Sequence, residues 1–228
     1  MRANALVVMA KAPLAGLVKT RLVPPLTPEQ AAELYRALFL DLLEGLKGFQ
    51  EADLFVAFAP DESAPWFHDT VPSAFACFPQ CGGDLGERMS RVFAELASRG
   101  YRSVALIGSD LPGLPASHLQ EAFRRLAELG HEVVLGPSRD GGYYLIGMSR
   151  HLPEIFQGIP WGSNRVLRAT VERLSVLGIR THFLLPWFDI DTVQDLHYLK
   201  SIAKQWTVHL PHRTLRFLEE LDTKLLNG

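Results

Sequence analysis

At 228 residues, 47% hydrophobic and 21% charged, the chain has the length and composition of a soluble globular protein that buries a full core in one large domain, or in one domain with a small appendage. A formal net charge of −2 gives no basic footprint, which argues against a nucleic-acid partner. The two cysteines, Cys77 and Cys81, lack a second Cys or His pair at suitable spacing, so they read as reduced thiols rather than a zinc site.

In chain order, Met1 to Ala10 is apolar but short and runs into Lys11 and Pro13, not into a small-residue cleavage site, so no signal peptide is expected. No apolar stretch approaches the roughly 20 residues needed to cross a bilayer, and a cytoplasmic protein is the expectation. Ala5 to Ala10 is continuously apolar, as in a strand buried on both faces. A loop from Lys11 to Pro25 follows, and Thr27-Pro28-Glu29-Gln30 then opens a helix to about Leu46, with Thr27 as N-cap and Gln30 in capping-box position. Asp53 to Ala59 is the next strand, Ser63 to His68 a short helical piece, and Ala74 to Pro79 a weak strand. Helical periodicity over Leu85 to Arg99 closes at Gly100, Ser103 to Ile107 is a strand, and Ser117 to Leu129 a helix. Val133 to Gly136 and Tyr143 to Met148 read as strands around the loop Pro137 to Gly142. Asn164 to Leu177 is helical, His182 to Leu185 a strand, and Thr192 to Lys204 a helix. This alternation calls for an α/β fold, a three-layer α/β/α sandwich with a mostly parallel central sheet. It occupies residues 1–204 as one domain. The tail 205–228, with a helix near Arg213 to Leu225, packs against that domain or against a partner subunit, as in a homodimer.

Ligands of open α/β sheets collect at the carboxyl ends of the strands, so the loops there carry the chemistry. The first, Lys11 to Arg21, is neither a Walker loop nor a dinucleotide fingerprint, because the required glycines are missing. It offers Lys11, Lys19 and Arg21 to phosphates, or three solvated cations. Gly82-Gly83-Asp84-Leu85-Gly86-Glu87-Arg88 allows a ligand close to the backbone, or is a flexible turn with Asp84 as helix cap. Asp110, just after a buried strand and before Pro112, is costly there unless solvated, capped or bound to a cation. Magnesium, which takes one or two protein carboxylates plus phosphate oxygens and water, suits that place. Asp140-Gly141-Gly142 is a hairpin turn that Arg139, Tyr143 and Tyr144 tilt toward a site loop. Trp161, in Ile159 to Ser163, stacks on a sugar or acceptor, or plugs the edge of the core. Asp189 and Asp191 precede a cap made by Thr192 and Asp195, and alternation points both carboxylates the same way; Asp191 is favoured as the second metal ligand. No Gly-x-Ser-x-Gly elbow is present, and the eight histidines, His209 and His212 among them, show no catalytic spacing.

With these segments in place the chain resembles the bacterial glycosyltransferase-A-like family associated with arsenosugar biosynthesis. The matching stretches are Met9-Ala10-Lys11-Ala12-Pro13 with Gly16 and Lys19 to Leu22, Gly83 to Arg88, Gly108 to Asp110 with Pro112, Asp140 to Gly147, Ile159 to Trp161, and Asp189 to Thr192. The resemblance implies a nucleotide-diphospho-sugar transferase fold with Mg2+ or Mn2+ held by Asp110 and Asp191. It implies a nucleotide site at Lys11, Gly16, Lys19, Arg21, Gly83, Asp84, Arg88 and Asp110, and an acceptor site at Trp161 and Tyr143. Asp140, Lys19 and Arg21 would be catalytic, Asp140 by orienting or deprotonating the acceptor hydroxyl. The implied activity is transfer from a nucleoside diphosphate sugar to a small-molecule acceptor. A distant likeness to sugar nucleotidyltransferases, including phospholactate guanylyltransferase, keeps nucleotidyl transfer from an NTP with pyrophosphate release as the alternative. A non-catalytic nucleotide-binding protein is the third reading. Two departures stand out: the acidic motif is Ser109-Asp110-Leu111, not two aspartates flanking one residue, and Gly162-Ser163-Asn164 replaces the Ser-Thr expected after the tryptophan.

Overall fold

A computed structural model describes residues 3–128, 130–203 and 211–226. Seven strands form one sheet: β1 (Asn4–Lys11), β2 (Asp53–Ala59), β3 (Phe75–Pro79), β4 (Ser103–Ile107), β5 (Val133–Pro137), β6 (Tyr143–Met148) and β7 (Thr181–Phe183). Their order is β3-β2-β1-β4-β6-β5-β7. All neighbours pair parallel except β6, which runs antiparallel to β4 and to β5. The helices are α1 (Pro28–Leu46), α2 (Ala64–Thr70), α3 (Leu85–Ser98), α4 (Ala116–Ala127), α5 (Val166–Val176), α6 (Val193–Ala203) and α7 (His212–Leu226). The mostly parallel, helix-covered sheet is the expected one. The expected positions of Leu129, Lys204 and the tail before 211, including His209, lie outside the described residues.

Period-two geometry explains why the central strands read as unbroken apolar runs. Leu6, Val8, Val56, Phe58, Ala105 and Ile107 face one way, into a core with Phe39, Leu43, Phe67, Leu119 and Phe123 from α1, α2 and α4. Ala5, Val7, Phe55, Ala57, Val104 and Leu106 face the other way, against Met89, Val92, Phe93 and Leu96 of α3 and Leu174 of α5. Both faces are dry, so alternation is lost in the sequence while it persists in space.

A third apolar cluster positions the site. Leu34 and Leu38 turn away from the sheet and meet Leu22, Phe188, Ile190, Leu196 and Leu199, together with Leu218 and Leu221 of α7. The terminal helix thus packs on α1 of its own chain. Asp41 of α1 fastens it by accepting hydrogen bonds from the Arg213 and Thr214 backbone N–H groups at 3.1 and 2.8 Å and from the Thr214 hydroxyl at 2.8 Å. The capping boxes read from sequence are present. Thr27 and Gln30 close the start of α1 reciprocally. At α6, Asp195 accepts from the backbone N–H groups of Asp191 and Thr192 at 3.1 and 2.7 Å.

Candidate functional site

Burial of Leu22, Phe188 and Ile190 in the third cluster fixes two segments that flank the sheet's carboxyl edge. With Phe188 and Ile190 inward, Asp189 and Asp191 point outward, as alternation requires. Trp187 ties that segment to two other loops, donating from Nε1 to the Pro112 carbonyl at 3.2 Å and from its backbone N–H to the Pro137 carbonyl at 3.1 Å. Asp110, Ser138, Asp189 and Asp191 are thereby brought together from distant parts of the chain.

Lys19 lies at the centre. Its backbone is left-handed at φ 51°, and its side chain is only 4% exposed. The ammonium donates to Asp110 and, at 2.8 Å, to Asp191 Oδ1. Burial by itself lowers the pKa of that ammonium, but the two carboxylates outweigh burial and raise it above the ordinary lysine value. Burial likewise raises Asp191, and Lys19 outweighs it, so Asp191 stays below the ordinary carboxylate value. Arg21 is more exposed and stands 3.7 Å from Asp191, a weaker contact. Lys19, expected among the phosphate contacts, therefore commits its ammonium to the carboxylates, while Arg21 and Lys11 remain along the cleft.

Asp189 has no ion-pair partner among the described residues. It accepts from the Ser138 hydroxyl at 2.9 Å. Burial, then the neighbouring charges of Asp110, Asp140 and Asp191, push its pKa up to about 7. Asp110, Asp189 and Asp191 each offer a carboxylate oxygen, all within 4.8 Å of one another. An all-oxygen donor set with one carboxylate left uncompensated fits a hard divalent cation such as Mg2+ or Mn2+. Asp189 is thus a third metal-ligand candidate beside the two named from sequence.

A central cleft here shares lining residues with two others. The central one, of 370 Å³, is lined by Lys11, Lys19, Arg21, Tyr35, Asp110 and Asp191. A second, of 330 Å³, shares Arg21, Leu85 and Asp191 with it and adds Asp140, Tyr143 and Trp161. A third, of 510 Å³, shares Lys11 and Leu17 with the central one and adds Gln80 and Arg88. Gly16, Gly83 and Asp84 line none of the three. Gly16 turns the first loop at φ 78°. Gly83 donates to Glu87 at 2.9 Å and Asp84 caps α3, accepting from the Glu87 backbone at 2.8 Å. Asp140 accepts from the Gly142 N–H through Oδ1. Tyr143 lines its cleft but keeps its hydroxyl buried.

Two supports were not visible in the sequence. The Tyr35 hydroxyl, on α1, sits beneath the central cleft, accepting from the Lys11 N–H at 2.9 Å and bonding the Ser109 hydroxyl at 2.7 Å. Burial pushes its pKa up to about 12. Gly86 touches Trp161 so closely that a Cβ there would fall 2.7 Å from the indole ring. The glycine-rich and tryptophan motifs are therefore two halves of one contact. A tyrosine on an apolar helix face and a glycine in a first helical turn are the only sequence signals either leaves.

Similar structures share this architecture. A candidate nucleotide-diphospho-sugar transferase from Desulfovibrio desulfuricans superposes with a TM-score of 0.89 at 34% identity, over 98% of this chain and 96% of that one. A cytidylyltransferase from Leptospira borgpetersenii shares the fold at a TM-score of 0.62 and 11% identity, over 98% and 96% of the two chains. Glucosyl-3-phosphoglycerate synthase from Mycobacterium tuberculosis, solved with Mn2+, uridine diphosphate and glucosyl-3-phosphoglycerate, shares it at 0.51 and 15%, over 89% of this chain and 78% of that one. The fold is that of the nucleotide-diphospho-sugar transferases. No curated protein matches the sequence. The model of a bacterial family described as uncharacterized conserved proteins, DUF2064, matches residues 42–163, more than half of the sequence, and the chain belongs to that family.

Proposed function

We propose that the protein is a transferase that moves a sugar from a nucleoside diphosphate sugar to a small-molecule acceptor, with Mg2+ or Mn2+ at Asp110, Asp189 and Asp191. The observation that carries this reading is a central cleft at the Lys19-bridged carboxylates that shares Arg21, Leu85 and Asp191 with one neighbouring cleft and Lys11 and Leu17 with another. On this reading the three clefts take base, diphosphate, and sugar with acceptor in turn. A bound divalent ion would supply electrostatic stabilisation of the charge that develops on the diphosphate.

The chain's own groups divide the remaining work. Lys11 and Arg21 bind phosphate oxygens by charge. Lys19 acts as a positioning residue, holding Asp110 and Asp191 at a fixed separation. Asp140 keeps Oδ1 on the Gly142 N–H and has Oδ2 to orient an acceptor hydroxyl and take its proton. Trp161, seated on Gly86, forms an apolar wall for the acceptor or sugar. The free, unbridged Cys77 and Cys81 are compatible with a cytoplasmic location. The link to arsenosugar biosynthesis rests on the motif resemblance alone.

One feature favours nucleotidyl transfer as a second reading: Ser109-Asp110-Leu111 carries one carboxylate, and a lysine lies against it. On that reading an NTP reacts with a phosphorylated small molecule and pyrophosphate leaves. The test is thermal shift against UDP-, GDP-, ADP- and CDP-sugars and NTPs, with Mn2+ or EDTA, on the wild type and on Asp110→Asn. Saturation at about 100 times the dissociation constant adds about 2.7 kcal/mol to a binding-competent protein. A metal-dependent shift lost in Asp110→Asn is expected; the same shift in EDTA and in the variant overturns the metal assignment. Pyrophosphate release, measured with NTPs and sugar phosphates, separates the two readings.

A further inference from the structure

The third cleft has the makeup of a nucleobase site. Part of its wall is apolar: Leu14 and Leu17 are large hydrophobic side chains left 44% and 64% exposed, and Pro60, on the loop after β2, also lines it. Exposed leucines at the mouth of a cleft have no core to join, and a planar ring inserted between them would cover them. The cleft shares Lys11 and Leu17 with the central one, where the phosphates of the proposed nucleotide lie.

The polar edge of this cleft carries a concentration of acceptors. Gln80, just after β3, donates both amide hydrogens to strand-end carbonyls, to Ala57 at 2.7 Å and to Ala10 at 3.0 Å. Two carbonyl acceptors orient the amide unambiguously, so its Oε1 is left facing away from them as an acceptor. Asp61 and Glu62, in the turn that follows Pro60, add two carboxylates with no hydrogen-bond or ion-pair partner among the described residues. Arg88 is held by the carbonyls of Gly82 and Gly83 at 3.2 and 3.3 Å, and Lys11 also lines the phosphate cleft. The acceptors of that edge, Asp61, Glu62 and Gln80 Oε1, thus stand beside the remaining donors of Arg88 and Lys11.

Among the bases, guanine alone presents two adjacent donor groups, N1–H and the N2 amino group. Adenine and cytosine each present one amino group beside a ring-nitrogen acceptor, and uracil presents one N–H between two carbonyls. Two adjacent donors match a carboxylate in the bidentate manner that is strongest for charged acceptors. An acceptor placed opposite a base carbonyl leaves both groups desolvated and unpaired, which penalises uracil. We propose that Asp61, Glu62 and Gln80 make this cleft a guanine-selective base site, so that the nucleotide used is a guanosine phosphate. The inference rests on the nucleotide reading above.

Equilibrium binding of GDP, IDP, ADP, CDP and UDP to the full chain in Mn2+ tests it. GDP is expected to bind at least about tenfold tighter than UDP or CDP, and IDP, which lacks the N2 amino group, to lose about tenfold against GDP. The double variant Asp61→Asn with Glu62→Gln should weaken GDP and, by removing acceptors that oppose the uracil carbonyls, strengthen UDP, so that the two bind alike. Both side chains are exposed, so the fold is retained, and an unaltered melting temperature verifies this. UDP or CDP binding as tightly as GDP overturns the guanine assignment and leaves the nucleotide reading standing. So does a GDP preference that survives the double variant. If none of the five binds, the nucleotide reading fails, and the base site with it.

Discussion

Asp189 supplies the sharpest quantitative expectation. Its carboxyl has an ordinary pKa of 3.8 and is held at about 7 in the folded protein by burial and by three neighbouring aspartates. The folded state therefore keeps a proton that the unfolded chain has already released, and stability falls as pH rises from the unfolded value through the folded one. At 1.36 kcal/mol per factor of ten, the difference amounts to about 4 kcal/mol at the limit. Partial solvent access and relaxation of the loop reduce this, and about 2 kcal/mol is the working figure. Asp189→Asn removes the titration while keeping an acceptor for the Ser138 hydroxyl. In EDTA, wild type and variant should be equally stable near pH 4, and the variant should lead by about 2 kcal/mol at pH 8. For a chain of this size that corresponds to roughly 4–8 °C in melting temperature. Chemical denaturation at a series of pH values measures it. Mn2+ should flatten the wild-type curve, because a cation removes the reason for the raised pKa. Parallel profiles for the two proteins between pH 4 and 8 would refute the reasoning.

Removing the bridging ammonium by Lys19→Met leaves Asp110 without its cation and Asp191 with only the weaker Arg21 contact; breaking such a pair costs about 3–5 kcal/mol when fully buried, and about half that is expected here in EDTA. Mn2+ should restore most of the loss, as read from melting temperatures with and without the ion. Asp41→Ala strips α7 of its cap and of the Arg213 ion pair at 3.2 Å, with an expected cost of about 2 kcal/mol and earlier protease cleavage of the tail. Tyr35→Phe orphans the Lys11 N–H and the Ser109 hydroxyl and should cost about 1–3 kcal/mol in denaturant titration. Gly86→Ala forces Trp161 off the start of α3, so acceptor KM should rise while nucleotide affinity holds; an unchanged acceptor KM would remove Trp161 from the acceptor wall.

How far the fold could be read in advance depended on how local its determinants were. The capping boxes at Thr27 and Thr192 act within a few residues, so both helix starts are found where their residues announce them. β3, a short strand with exposed positions, leaves a weak pattern, yet its place beside β2 is clear in space. The antiparallel insertion of β6 between β4 and β5 had no local signal beyond the Asp140-Gly141-Gly142 turn, because pairing order depends on which strands can bury both faces. Alternation did show that Asp189 and Asp191 share a side, but favoured Asp191 alone as a ligand. The missing factor was charge balance: Lys19 arrives from a remote loop to neutralise Asp191, which leaves Asp189 as the carboxylate without a cation.

By itself the sequence determined which loops carry carboxylates, cations and glycines, and the alternation of strands and helices that brings those loops to one edge of a parallel sheet. These follow from side-chain periodicity and caps, whose range is a single turn or strand. Only the tertiary structure decided that Lys19 lies between Asp110 and Asp191, that Asp189 holds its proton near neutrality, that Gly86 seats Trp161, and that α7 completes the cluster under the site. Those outcomes depend on distances between residues far apart in the chain, and the strength of a charge or a contact is set by the separation and burial that packing imposes.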